Sequence, residues 1–372
     1  MSAITDRPTP PLRTGFTTGL CATACTRAAL LAWLSGHPIP VATVRLPDGE
    51  PVEFAVESCE IAARGAACTV RKDGGDDPDA THGAIVGARV SWHPESGVEF
   101  RAGEGVGTVT LPGLPLLVGE PAINPAPRRM IEAIILETLA EFGMGGGATV
   151  EVFVPGGAEI AARTLNPRLG IVGGISIIGT TGRVRPFSTE AYIASINSAL
   201  AVAAATGCPR AVLNSGGRSE AMLRAQFPEL PPQAFVQYGN WIGEALAHLR
   251  TTAIPSATIG LMLGKAVKLA AGRLDTHSRE GLWDRSFVAG LARECGYAEL
   301  QVARIGGLSL ARQLAELFPF SADEPLYRAI AARCHAVCQP LVPAIPLELR
   351  LHTDTSGWLV HDAAGTRAVT TR

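Results

Sequence analysis

From Val150 onward, short apolar runs alternate with stretches of helical period. Val150–Val154, Ile175–Ile178, Ala211–Asn214, Ala234–Tyr238 and Ala257–Leu263 read as strands, with helices at 189–206, 218–226, 240–250 and 265–271. Parallel strands need a long crossover, and a helix is the usual one, so strict alternation predicts a mainly parallel sheet. Continuous apolar runs without alternation are the mark of strands buried on both faces. The expectation is a Rossmann-like three-layer α/β domain. Open sheets of this kind bind ligands outside the carboxyl ends of their strands. Three loops stand there: Gly179-Thr180-Thr181-Gly182, Ser215-Gly216-Gly217 and Gly239-Asn240.

The first part of the chain has another texture. Thr17-Thr18 precede a helical pattern over Gly19–Ser35, and their hydroxyls suit its free N–H groups. Val41–Leu46 and Val52–Val56 alternate apolar and polar residues around Pro47-Asp48-Gly49, a hairpin signal. Further strands are expected over Ile61–Arg71, Ala84–Trp92 and Val98–Arg101. A second helix is expected from Arg128-Arg129 to Phe142, with Ile131, Ile134, Ile135, Leu139 and Phe142 on one stripe. Gly143–Gly147 is a candidate linker. The chain therefore divides into a strand-rich α+β domain over 1–147, an α/β domain over 148–310, and a tail over 311–372. The tail holds helices and a terminal hairpin, Leu347–His352 and Trp358–His361 around Thr353–Gly357, free to join either sheet.

Composition narrows the function. The formal charge of −2 and aromatic content of 5% argue against nucleic-acid partners. No apolar run approaches the roughly 20 residues of a membrane span. Residues 1–11 hold Asp6 and three prolines and lack the apolar core of a secretory signal, so they read as a flexible lead-in to a cytoplasmic protein. Cys21/Cys25 and Cys334/Cys338 are spaced four apart in helical patterns. No third ligand is in view, so these thiols read as small buried groups and no resident metal is expected.

The loops carry the chemistry. Lys72–Gly83 crowds Asp73, Asp76, Asp77 and Asp79 with two glycines, followed by His82. Such a loop is an active-site segment, a structural loop held by cationic partners, or a hard-cation site; it lacks the Glu of a calcium-binding EF-hand. The Asn166–Pro186 run reads as a strand ending at Gly179–Gly182, a layout that can hold an anion at backbone N–H groups. Gly103–Thr110 has the glycine content of a binding loop without a following helix. Lys265 and Lys268 share a helix face.

Five stretches together are similar to one family. They are Arg13–Gly19, Lys72–Gly83, Gly119–Arg128, Asn166–Pro186, and Gly264–Gly272 with Thr276-His277-Ser278. In order and spacing they resemble the cobalt-precorrin-5B C(1)-methyltransferase family of oxygen-independent cobalamin biosynthesis. The resemblance implies transfer of a methyl group from S-adenosylmethionine to C-1 of cobalt-precorrin-5B, giving cobalt-precorrin-6A. Cobalt then enters only as part of the tetrapyrrole substrate, and hand-off of product to other corrin-pathway enzymes is a further partner class. On this reading Asp73, Asp76, Asp77 and His82 are candidates for moving a ring proton. Gly173, Gly174, Gly179, Thr180, Thr181, Gly182, Gly216, Gly239 and Asn240 are candidates for holding the cofactor. Arg128, Arg168, Lys265, Lys268 and His277 are candidates for the substrate's acetates and propionates. The competing classes are a non-catalytic tetrapyrrole carrier and a nucleotide-dependent phosphotransferase. The latter is disfavoured because Gly264-Lys265 is followed by Ala266, not a Mg²⁺-binding hydroxyl.

Overall fold

A computed structural model describes residues 11–277, 283–353 and 357–369. The lead-in over 1–10, Ser278 and the hairpin turn at 354–356 lie outside the described residues. The chain forms two compact units, Met1–Thr189 and Glu190–Arg372.

The first unit begins with β1 (Gly15–Phe16) and α1 (Thr18–Ser35). Thr17 caps α1 by accepting the Leu20 N–H at 3.2 Å, and Gly36 ends it in the left-handed region with φ 75°. Then come β2 (Val41–Arg45), β3 (Pro51–Ala62), β4 (Gly65–Arg71), β5 (Ile85–His93), β6 (Gly97–Ala102) and β7 (Thr108–Val109). They are followed by α2 (Pro125–Glu141), β8 (Gly147–Phe153), α3 (Gly157–Ala161), β9 (Ile171–Val172) and β10 (Arg183–Val184). Six of these strands form one sheet in the order β2-β3-β4-β5-β8-β6. The predicted hairpin is there, with Val41 opposite Ala55 and Val44 opposite Val52. Helix α1 packs on strands β2 to β5 and on α2. Nearly every residue of its first three turns is buried, which a helix built from Ala, Thr, Cys and Leu tolerates on all sides.

Two expectations are corrected here. The linker at Gly143–Gly147 is not a domain boundary. Strand β8 enters between β5 and β6, antiparallel to the first and parallel to the second, and Ala148, Val150 and Val152 are fully buried. A strand inserted inside a sheet has the same apolar face whichever domain it serves, so its pattern does not announce its partners. The Ile175–Ile178 run is likewise not a strand of a parallel sheet in the second unit. It makes single bridges in the first unit, Ile175 to Val106 and Ile177 to Ile123, with those two side chains buried and Ile178 half exposed. Gly103–Gly107 is packed by the same segments. A Cβ on Gly174 would lie 2.1 Å from the Gly105 carbonyl oxygen, so the glycines here permit backbone contact.

The second unit contains α4 (Thr189–Ala205), β11 (Ala211–Asn214), α5 (Gly217–Gln226), β12 (Phe235–Gln237), α6 (Ile242–Leu249), β13 (Ala257–Met262) and α7 (Leu263–Ala270). It continues with α8 (Arg285–Glu294), α9 (Glu299–Gly306), α10 (Leu314–Leu317), α11 (Pro325–Cys338), β14 (Leu347–His352), β15 (Trp358–Asp362) and β16 (Gly365–Val369). The sheet order is β12-β11-β13-β14-β15-β16. Strands β12, β11, β13 and β14 are mutually parallel, and β15 and β16 extend the edge antiparallel. The tail over 311–372 is therefore part of this unit, and its first strand pairs in parallel with β13, from Ala257 opposite Leu347 to Met262 opposite His352. Both members of the two cysteine pairs are buried, in keeping with small apolar roles.

Candidate functional site

In the first unit, segments far apart in sequence gather at the N-terminus of α1. Strand β1 pairs antiparallel with β10, Gly15 opposite Val184 and Phe16 opposite Arg183. The Asp-rich loop docks against the same segment: Thr14 bridges Gly75, and Phe16 N–H donates to the Asp73 carbonyl at 2.7 Å. The Gly-Thr-Thr-Gly run closes over the helix start. Ile178 N–H donates to Thr18 Oγ1 at 2.9 Å, Gly19 N–H to the Ile178 carbonyl at 2.9 Å, and Thr17 N–H to the Gly182 carbonyl at 2.9 Å. Asn166 ties the run from below, donating to the Gly174 carbonyl at 3.1 Å and accepting the Ser176 hydroxyl at 3.2 Å. The structure thus brings together Arg13–Gly19, Lys72–Gly83 and Asn166–Pro186, with Asn124 N–H bonded to the Ile177 carbonyl at 2.9 Å.

Each carboxylate of the loop has a partner that defines its geometry. Asp73 forms a bidentate pair with the Arg13 guanidinium and accepts the Gly75 N–H at 2.9 Å. The hydrogen bond from Arg13, then that from Gly75, hold its pKa below the ordinary aspartate value. Asp76 accepts the Arg13 backbone N–H at 2.6 Å, and Asp77 accepts the Phe187 N–H at 2.9 Å. Asp79 faces inward to the Lys72 ammonium at 2.6 Å. The His82 Nδ1 accepts the Gly74 N–H at 3.0 Å, which places the proton of the neutral ring on Nε2. Phe187 is the non-glycine residue of the described chain with positive φ, 55°, and its ring is 64% exposed. An exposed aromatic in strained backbone beside this loop gave no signal in sequence.

Arg128 turns inward. Its Nε donates to the Ile123 carbonyl at 2.8 Å, its Nη groups go to Glu120 and the Pro121 carbonyl, and it stacks on Phe100. It braces the proline-rich segment. Arg168 lies half-buried in the turn that follows Leu165. Gly173 is exposed, and Thr180 and Thr181 are on the surface of the run.

In the second unit the chain leaves β11 for β12 on one side and returns to β13 on the other, which makes the carboxyl end of β11 a topological switch point. Gly216 and Gly217 follow it, and a side chain added at either would meet open space. Beneath them Glu220, only 3% exposed, accepts from Gln237 Nε2 at 2.9 Å and Asn214 Nδ2 at 3.4 Å, joining the ends of β11 and β12. Gly239 and Asn240 follow β12. Lys265, near the start of α7, donates to the Gly239 carbonyl at 2.8 Å, Asn240 Oδ1 at 2.5 Å and Thr276 Oγ1 at 3.2 Å. Lys268 reaches the carbonyls of Thr276 and His277 at 3.3 and 3.2 Å, and the His277 N–H bonds Asp275. Sequence reasoning missed Glu220 and His352, the latter fully buried at the end of β14 beside Met262. The candidate residues thus fall into two sets: Gly173–Gly182 and the Asp-rich loop in one unit, and Gly216, Gly239, Asn240, Lys265, Lys268 and His277 in the other.

Burial, reinforced by the Lys268 charge, lowers the Lys265 pKa from 10.5 to about 8. Between those values the unfolded chain holds a proton that the folded chain lacks, so this residue's contribution to stability rises with pH across the window from about 8 to 10.5. The melting temperature of the wild type relative to Lys265→Met should climb over that range. A difference that stays flat removes the buried charge from the account.

Residues 5–186 match a family model described as CbiD, and residues 275–363 match one described as CbiD, C-terminal domain. A protein of Prosthecochloris aestuarii named cobalt-precorrin-5B C(1)-methyltransferase is 47% identical over 96% of this chain and 98% of its own. One of Geobacillus thermodenitrificans with the same name is 46% identical over 88% of this chain and 87% of its own. A crystal structure of cobalamin biosynthesis protein (cbiD) from Archaeoglobus fulgidus is 32% identical, covering 72% of this chain and 84% of that one, with a TM-score of 0.40.

Proposed function

The chain belongs to the CbiD family, and from that membership we propose that it methylates C-1 of cobalt-precorrin-5B in cobalamin biosynthesis. The near full-length match to curated cobalt-precorrin-5B C(1)-methyltransferases carries this reading. It is a methyltransferase, and neither a carrier nor a phosphotransferase is named among those relatives. No helix of the described residues is long and apolar enough to cross a membrane.

A methyltransferase needs a methyl donor, and we take it to be S-adenosylmethionine, which supplies a methyl group activated on a sulfonium. Most of the protein's task is then positioning. The parallel strands β12, β11, β13 and β14 support a Rossmann-like reading of the second unit, with Gly216, Gly239 and Asn240 as cofactor-facing groups at the strand ends. The open space at Gly216 and Gly217 suits close approach of a ligand to the backbone where α5 begins, the Gly216 N–H itself being held by Asn214 Oδ1 at 3.2 Å. Lys265 fixes the Gly239-Asn240 loop in place. In the first unit, Asp73 and Asp79 are paired with the cations Arg13 and Lys72, whereas Asp76 and Asp77 accept backbone N–H groups and are the better proton acceptors. His82 offers a hydrogen bond from Nε2 toward a ligand, because in the neutral ring the Gly74 N–H occupies Nδ1.

The test is incubation of the purified protein with cobalt-precorrin-5B and S-adenosylmethionine carrying a ¹³C-labelled methyl group. Label on the substituent of C-1, with S-adenosylhomocysteine released, is the expected result. Tight tetrapyrrole binding without label transfer would make the protein a carrier.

A further inference from the structure

A cavity of about 350 Å³ opens in the first unit between α2 and the turn after β2. That lies within the range of roughly 300–1,000 Å³ typical of small-molecule sites. Its walls are partly apolar, from Leu46, Pro47, Met130, Ala133 and Ile134. The other lining groups include Arg45, Arg129, Glu137 and Thr180. Met130, Ala133, Ile134 and Glu137 recur at helical spacing along α2, so one helix face forms a wall.

The charge of this cavity is positive. Glu137 is offset by Arg27, which lies 3.2 Å away and also reaches Glu141 at 2.9 Å. Arg45 gives one N–H to the Gly49 carbonyl at 3.2 Å. Among the described residues neither Arg45 nor Arg129 has a carboxylate within ion-pair distance. Two arginines beside an apolar wall suit a hydrophobic scaffold that carries carboxylates. An inorganic anion would leave the apolar wall unused, and an uncharged ligand would leave the two guanidiniums unused. Thr180 belongs to the same Gly-Thr-Thr-Gly run that closes over α1, so the cavity is continuous with the convergent segments already described.

We propose that this cavity is a binding subsite for a carboxylate-bearing edge of the tetrapyrrole, with Arg45 and Arg129 pairing its acetate or propionate groups. The inference rests on the methyltransferase reading for the identity of the ligand, while the geometry of the site stands apart from it. Neither residue is a catalytic residue on this account. Both are exposed, so their replacement leaves the core intact.

The test is steady-state kinetics of Arg45→Gln, Arg129→Gln and the double variant, with both substrates varied. A hydrogen bond to a charged group contributes enough that each single change should raise the KM for the tetrapyrrole about tenfold, and the pair by roughly a hundredfold. The KM for S-adenosylmethionine and kcat should stay within about twofold of the wild type. Melting temperatures should not move. A second measurement uses a cobalt porphyrin with eight peripheral carboxylates as the probe, titrated against the same porphyrin with its acids converted to amides. Binding of the acid form alone, lost in the double variant, supports the subsite. Methylation at an unchanged tetrapyrrole KM in the double variant overturns the subsite and leaves the enzyme assignment standing. Arginine-dependent porphyrin binding by a wild type that methylates nothing would keep the subsite and overturn the enzyme assignment.

Discussion

Asp79→Ala should destabilise the protein by about 3–5 kcal/mol, the usual consequence of removing one partner from a buried ion pair. Lys72 is 1% exposed, and its ammonium lies 2.6 Å from Asp79 Oδ2. The backbone pins the lysine where it is, since Lys72 N–H bonds the Ala84 carbonyl at 2.9 Å and the Lys72 carbonyl accepts from Gly83 at 2.8 Å. Without the carboxylate a cation remains inside with no counter-charge. Asp79 also accepts the N–H and the hydroxyl of Thr81, at 2.7 and 2.6 Å, so the turn into His82 loosens as well. The change should appear as a lower urea midpoint at an unchanged slope. Replacing both residues, Lys72→Met with Asp79→Leu, should recover most of the loss, because the desolvation cost of the pair disappears with it. The pH dependence follows from the same pair. Burial by itself would raise the Asp79 pKa, but the Lys72 charge and the hydrogen bonds from Lys72 and Thr81 outweigh it and hold the value below 3.8. The pair therefore stabilises the fold fully above pH 3.8, and the contribution is lost as the pH falls through the depressed folded value. The gap between wild type and Asp79→Ala should close in acid. A loss below about 1 kcal/mol at neutral pH would show a pair solvated like a surface one.

What could be read in advance was local. The β2–β3 hairpin follows from alternation around Pro47-Asp48-Gly49, and α1 from Thr17 and the run of alanines, with no distant partner needed. The parallel strands β11, β12 and β13 could be read for the same reason, since each is an apolar run followed by a helix. Long-range pairing could not. Ala148, Val150 and Val152 have the texture of a buried strand in either unit, and only the closed sheet shows β8 between β5 and β6. Ile175–Ile178 has the same composition and joins no sheet of the second unit. The candidate site divides in the same way. An Asp cluster is visible in sequence, but its partners Arg13 and Phe187 stand 63 and 110 residues from Asp76 and Asp77. Nothing in the letters distinguishes the buried Lys72 from a solvated lysine at a strand end, or Glu220 under the β11 loop from a glutamate on a helix surface.

Gly179→Ala should cost several kcal/mol of stability, for a reason separate from ligand binding. A glycine-threonine run invites the reading that its glycines make room for a phosphate or a nucleotide. At Gly179 the room is taken by the protein. Its φ is +127°, a conformation costing of order 1–3 kcal/mol for a residue with a side chain. An added Cβ would also lie 2.3, 2.4 and 2.5 Å from Oγ1, Cβ and Cγ2 of Thr17. Thr17 cannot swing aside freely, because its hydroxyl caps α1 and its backbone N–H is bonded to the Gly182 carbonyl. The two parts of the penalty separate in a double-mutant cycle. Thr17→Gly removes all three colliding atoms, and a cap changed to glycine loses only a few tenths of a kcal/mol. The double variant should therefore be more stable than Gly179→Ala alone, keeping only the backbone cost. Absence of any rescue would mean that the contact with Thr17 is not what the glycine serves. The cycle also bears on S-adenosylhomocysteine titrations. If the cofactor sits at the strand ends of the second unit, Gly179→Ala with Thr17→Gly should bind it as the wild type does, whereas Asn240→Ala should not. Equal loss in both would return the Gly-Thr-Thr-Gly run to the cofactor site.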